Sequence, residues 1–183
     1  MKRQIVVGIT GASGAIYAKR LLAKLATQAA AKVAVVFTDN GKQVFSYELG
    51  EEALSAISFE RYDNNNFFAP FASGSSSFDT LIIVPCSMGT LAKVAAGLAS
   101  DLISRTADVM LKEGRKLIIV PRETPYNLIH LRNMVQIKEA GGIICPANPS
   151  FYSKPETLEQ AVDTVVDRVL QLAGFNIEAY QWG

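Results

Sequence analysis

The sequence predicts an α/β protein, a doubly wound and mainly parallel sheet with helices on both faces. Three observations predict it. Short apolar runs rich in β-branched residues recur along the chain, helical spacing of apolar residues separates most of them, and the first run ends in a glycine-rich turn that opens straight into a helix. Apolar runs without polar alternation mark strands covered on both faces, as in parallel sheets.

Residues 4–10 (QIVVGIT) read as a buried strand, and residues 15 to about 30 carry Ile16, Leu21, Leu22 and Leu25 at helical spacing. Residues 32–38 form a second strand, 81–85 and 116–120 repeat the pattern, and 142–145 would be a fifth. Helical stretches fall at 41–47 with 51–57, then 90–98, 101–112 and 128–140. A last helix starts at Pro155, a favoured first-turn residue, and stops at Gly174. The long non-periodic stretch 64–77 (NNNFFAPFASGSSS) mixes Phe67, Phe68 and Phe71 with small polar residues, and the phenylalanines argue against disorder. No repeat or boundary divides the chain, so one domain is expected over 1–183, with a C-terminal tail from about residue 175.

A chain of 183 residues can bury one good core. Hydrophobic residues make up 49% and charged residues only 19%, so some apolar surface is expected to meet other subunits. Lys+Arg 18 against Asp+Glu 17 leaves a net charge of +1, which recruits neither nucleic acid nor an anionic membrane. The apolar run after the first residues breaks at Gly8–Gly14, too early for a signal peptide, and no run of 18 apolar residues spans a bilayer, so a cytoplasmic location is expected. Cys86 and Cys145 alone make no disulfide framework, and a single histidine, His130, argues against a His-based metal site and reads as structural.

In an open parallel sheet, ligands bind beyond the carboxyl ends of the strands. After the first strand stand Gly8, Gly11 and Gly14, with Ala12 and Ser13 between them and a helix opening at once. Glycines admit close approach, and a helix start offers N–H groups to a phosphate. The spacing is not G-x-G-x-x-G and Thr38, not an acid, ends the second strand, so a mononucleotide such as FMN fits better than a dinucleotide; a tight turn without a ligand is the other reading. Pro85-Cys86-Ser87-Met88-Gly89-Thr90 after the third strand reads equally as an anion site or as plain capping by Ser87. Arg122 and Glu123 lie between two prolines after the fourth strand, where an exposed ion pair is the plain alternative to a site. Arg105 and Lys112 share a helical stripe and could hold a phosphate, yet Asp101 and Asp108 each precede one of them by four residues, the pattern of an ion-paired solvated face, which the spacing alone favours. Arg168 borders the apolar stripe of the last helix, so its charge points at something, and Tyr152 in the turn before it could donate to a phosphate or cap packing.

GITGASGA from Gly8, ASGS from Ala72, PCSM from Pro85, ADVMLKE from Ala107, VPRETP from Val120 and Phe151-Tyr152 stand in this order along the chain. Together these segments resemble the flavin prenyltransferases of the UbiX family over essentially the whole sequence. The resemblance implies a flavodoxin-like, Rossmann-like fold. It implies transfer of a dimethylallyl group from dimethylallyl monophosphate to reduced FMN, building a fourth ring that a UbiD-type decarboxylase uses as cofactor. It also implies a dodecamer with sites at subunit junctions.

By the resemblance, Gly11, Ala12, Ser13, Thr38, Ser87, Met88, Gly89, Thr90 and Arg122 would hold FMN, while Arg105, Lys112, Glu123, Tyr152 and Arg168 would surround the dimethylallyl phosphate. This reverses the local reading of Arg105 and Lys112, since an ion-paired face and a phosphate site are not exclusive. Lys112 and the arginines would stabilise the leaving phosphate without a metal, Ser13 and Glu123 would steer protons at the flavin, and Phe67 and its neighbours would keep water from the allyl cation. Some positions depart from the family pattern: Thr38 stands where serine is common, Asp39-Asn40-Gly41 follow it in place of small apolar residues, and Phe67 stands where some members carry tryptophan. An FMN-dependent cysteine decarboxylase shares the fold, but that group resembles one another in a histidine on an early helix, and residues 1–129 contain none. A non-catalytic flavin carrier would not need a second anion site.

Overall fold

The computed structural model describes residues 3–28 and 31–180. Its elements run β1 (Arg3–Ile9), α1 (Ala15–Ala26), β2 (Ala31–Phe37), α2 (Asp39–Leu49), α3 (Glu51–Ser55), β3 (Glu60–Asp63), a short 3-10 turn (Pro70–Ala72), β4 (Thr80–Cys86), α4 (Met88–Ala95), α5 (Leu102–Lys112), β5 (Lys116–Pro121), α6 (Leu128–Glu139), β6 (Ile143–Ile144) and α7 (Leu158–Ala173). The six strands form one sheet in the order β3-β2-β1-β4-β5-β6, and every neighbouring pair is parallel. The doubly wound, flavodoxin-like expectation holds.

Alternation along the strands divides the core. Ile5, Val7 and Ile9 of β1, with Val33, Val35 and Phe37 of β2, face α1 and α7 through Leu21, Leu25, Val165 and Val169. Val6, Val36, Leu81 and Ile83 face the other way, onto Leu91 of α4 and Leu102, Ile103 and Met110 of α5. Each fully buried aliphatic side chain stabilises by about 1.5–3 kcal/mol, and with both faces covered the central strands read as unbroken apolar runs.

Three local expectations shift. β3 has the sequence Glu-Arg-Tyr-Asp and pairs only with β2, so a short edge strand that turns only Tyr62 to the core left no apolar signature. The last helix begins at Leu158 rather than Pro155, because Thr157 and Gln160 cap one another reciprocally. The first helix ends at Ala26 with Thr27 as its cap, and the expected extension to residues 29 and 30 lies outside the described residues. The 64–77 loop is anchored by Phe71, which is fully buried, while Phe68 is 100% exposed.

The chain winds from β1 out to β3 on one side and back to β4, β5 and β6 on the other. The topological switch point therefore lies between β1 and β4. Backbone bonds level the strand ends there: Thr38 N–H donates to Ile9 O at 3.0 Å, Arg122 N–H to Cys86 O at 3.2 Å and Ala147 N–H to Pro121 O at 3.1 Å. The loops after β1, β2, β4, β5 and β6 thus share one rim. Among the described residues, no helix is long and apolar enough to cross a membrane.

Candidate functional site

The loop after β1 is shaped by its neighbours. A Cβ on Gly11 would stand 2.6 Å from Asn40 Cβ in the first turn of α2, so only glycine lets the two loops meet. Gly14 adopts φ 107° and is the N-cap of α1 without offering a side-chain acceptor of its own. Glu48, from the last turn of α2, supplies the acceptor. Its carboxylate takes the Gly14 N–H at 3.0 and 3.1 Å and the Ala15 N–H at 2.7 Å, and the Ser13 hydroxyl donates to it. Burial pushes the Glu48 carboxyl up, but the bonds from Ser13, Ala15 and Gly14 and the charge of Arg122 outweigh it and hold the group below its ordinary value. An anion at a helix N-terminus is the favoured arrangement.

The Gly14 and Ala15 amides at the start of α1 are thus taken by a carboxylate of the same chain, and a phosphate at these two amides would have to replace Glu48. Sequence reasoning missed Glu48, which lies 34 residues from Gly14 in an ordinary helical stretch.

The other two loops are better suited to an anion. Thr38 caps α2 by accepting the Gly41 N–H at 2.9 Å, leaving its hydroxyl hydrogen to donate. Ser87 caps α4, accepting the Thr90 N–H at 3.3 Å, and its hydroxyl lies 3.1 Å from that of Thr90. Both readings of Ser87 are thus compatible, since capping leaves the Gly89 side of the first turn free: a Cβ there would meet nothing within 4 Å. Met88 is buried beneath. Arg122 enters from β5, its Cγ 3.7 Å from where a Gly14 Cβ would stand. Its Nε is buried and has no hydrogen-bond partner among the described residues. Burial raises the phenol of Tyr17 and Arg122 counters it, while the Tyr17 hydroxyl donates to Ala147 O at 3.3 Å. A buried guanidinium N–H without an acceptor costs about 1–3 kcal/mol or more, so an acceptor brought by a ligand would be stabilised there.

Glu123 is exposed and turns back on its own loop, accepting the Thr124 N–H at 2.9 Å. Among the described residues no ion pair joins it to Arg122, so the local-pair alternative fails. Arg168 is exposed and donates to Gln171 at 3.4 Å; the Cys145 thiol at the end of β6 is raised by burial and lowered by the Arg168 charge. Tyr152 is 67% exposed in the loop before α7, and Phe67 is 46% exposed. His130 lies in the first turn of α6, where it and Asn127 cap one another.

Arg105 and Lys112 do not join this group within their own chain. The α5 helix starts at the rim, where Leu102 N–H meets Asn64 O, and runs about 16 Å toward the opposite edge of the sheet. Arg105 binds Ala72 O at 3.0 Å and Asp108 at 2.8 Å. Lys112 pairs with Glu113, and both side chains lie against Gly74. Both cations are ion-paired, but not at the expected four-residue spacing: Asp101 instead caps α5 and pairs with Lys93 at 2.8 Å, and Asp108 takes Arg105 rather than Lys112. A cavity of about 520 Å³ between α1 and α3, against Leu22, Phe45 and Phe59, lies away from the rim. No group of three or more His, Cys, Asp or Glu side chains that could hold a metal forms among the described residues.

A family model described as Flavoprotein matches residues 1–173. The chain is 43% identical over 183 residues to flavin prenyltransferase UbiX of Methanocaldococcus jannaschii, covering 98% of each. Its fold superposes on the crystal structure of AnUbiX in complex with FMN and dimethylallyl pyrophosphate with a TM-score of 0.92, at 39% identity and full coverage of both chains. It also matches a dodecameric FMN-dependent UbiX-like decarboxylase from Escherichia coli O157:H7, with a TM-score of 0.93 at 38% identity over 98% of this chain and 99% of that one.

Proposed function

The chain belongs to the UbiX family of flavin prenyltransferases, and from that premise we propose how its residues carry the reaction. The enzyme transfers a dimethylallyl group from dimethylallyl monophosphate to reduced FMN, giving the prenylated flavin that a UbiD-type decarboxylase takes up. The allyl C–O bond breaks, the phosphate leaves with the electron pair, the flavin forms the new bonds and gives up protons, and the product carries a fourth ring.

One observation carries the site assignment: the unpartnered, buried Nε of Arg122, in a loop whose backbone meets Cys86 just before the hydroxyls and open first turn of Ser87–Thr90 on the same rim. These groups, with the Thr38 hydroxyl, suit the phosphate of FMN. The Gly11–Ser13 loop, backed by the Glu48 carboxylate, repels a dianion and suits the ring, whose N–H groups donate. Tyr152 and Arg168 bind the phosphate of the donor, Glu123 moves a proton, and Phe67 excludes water. Lys112 and Arg105 reach the site of a neighbouring copy in a homo-oligomer, a dodecamer as in the relative from Escherichia coli; the position of Lys112 at the far end of α5 from its own chain's rim supports this. There they offset charge on the departing phosphate.

The chain forms one flavoprotein domain with its tail from about residue 175. The unpaired cysteines Cys86 and Cys145 favour the cytoplasm. The test is mass spectrometry of the flavin after anaerobic incubation with reduced FMN and dimethylallyl phosphate. A flavin heavier by one dimethylallyl unit is expected; FMN returned unchanged with both the mono- and the diphosphate donor overturns the assignment.

A further inference from the structure

The ladder between β1 and β4 stops at Gly8 opposite Ile83, and the register of β4 shifts between Ile83 and Cys86. Beyond that point, among the described residues, the Thr10 side chain joins the two strand ends. Thr10, 1% exposed, donates its hydroxyl to Pro85 O at 2.8 Å and accepts the Ser87 N–H at 2.8 Å. Its own N–H also reaches Pro85 O, at 3.3 Å. Gly11 follows Thr10 directly in sequence, and Ser87 is the cap of α4. The hydroxyl therefore ties the loop after β1 to the loop after β4 across the switch point, where the normal ladder no longer sets their spacing.

We propose that Thr10 is a positioning residue of the flavin site. It touches no substrate; acting through Ser87, its hydroxyl sets the first turn of α4 at a fixed distance from the Gly11–Ser13 loop. The proposal rests on the flavin reading above. Removing the hydroxyl leaves Ser87 N–H without an acceptor while Pro85 O keeps the Thr10 N–H, so the α4 side of the crevice is the side released.

The methyl and the hydroxyl of Thr10 separate cleanly by substitution. Thr10→Val keeps the packing and loses both side-chain hydrogen bonds; Thr10→Ser keeps the bonds and loses the methyl. Titration of FMN by fluorescence, at a temperature where circular dichroism shows each variant folded, should give roughly tenfold weaker binding for Thr10→Val, the size of one to two hydrogen bonds. Thr10→Ser should bind within about twofold of the parent even if it melts earlier, because the bonds remain. Should Thr10→Val not fold, Thr10→Ser against Thr10→Ala gives the same contrast, since both lack the methyl and differ only in the hydroxyl. Equal FMN affinity with and without the hydroxyl, or a Ser variant as weak as the Val variant, overturns the proposal. A parent protein that neither binds FMN nor prenylates it overturns the flavin reading itself.

Discussion

Replacing Glu48 tests the electrostatics of the site through stability. Among the described residues its carboxylate is the only side-chain acceptor on the N-terminus of α1, since the N-cap Gly14 has none. Glu48→Ala removes that acceptor and the favourable charge. Loss of a helix cap costs about 1 kcal/mol, and the charge term at an exposed helix end lies near 0.3–1 kcal/mol. Because Glu48 is largely exposed, the full pKa depression is not added to these, solvent screening having already weakened it. Together these give a loss of about 1.3–2 kcal/mol, a fall of about 3–8 °C in Tm for a chain of this length. Glu48→Gln keeps one acceptor oxygen and should lose about half of that. The carboxyl is depressed below its ordinary 4.5 in the folded chain, so its contribution is complete above that value and is lost as pH falls through the folded value. Differential scanning fluorimetry of parent, Gln and Ala variants between neutral and acidic pH, at low salt, checks this. A parent-to-Gln gap that widens in acid, or an Ala variant melting with the parent at neutral pH, refutes the reasoning.

Other outcomes follow from the same geometry. Glu123→Gln should leave FMN binding intact and slow prenylation by roughly 10² to 10⁴, the size of a lost acid or base; parental rates at saturating donor would reduce Glu123 to a loop residue that caps Thr124. Arg168→Ala should raise the KM for the allyl phosphate with FMN affinity nearly unchanged, which flavin titration and initial rates read separately. Phe71, fully buried between Tyr62 and Phe78, should cost about 3–5 kcal/mol on replacement by Ala, whereas Phe68→Ser, at a fully exposed side chain, should leave the subunit folded and reduce the assembly size seen by light scattering.

The amino-acid sequence by itself determined the sheet, because strands buried on both faces must be apolar throughout: 5–7, 33–37, 81–84 and 117–120 carry that mark regardless of context. It also determined which loops meet at the site, since a parallel sheet brings the ends of its strands to one rim and the glycine and hydroxyl residues stand at those ends. It could not show β3, a four-residue strand without an apolar run that pairs with one neighbouring strand. It could not show which partner each polar group takes: Glu48 caps a helix 34 residues away, Thr10 joins strands 75 residues apart, and Lys112 turns from its own rim toward Glu113 and Gly74. Burial and backbone pairing depend on side-chain type and local period, which are written in sequence. The partner of a side chain depends on what the folded chain brings within about 3 Å, and only the tertiary structure decides that.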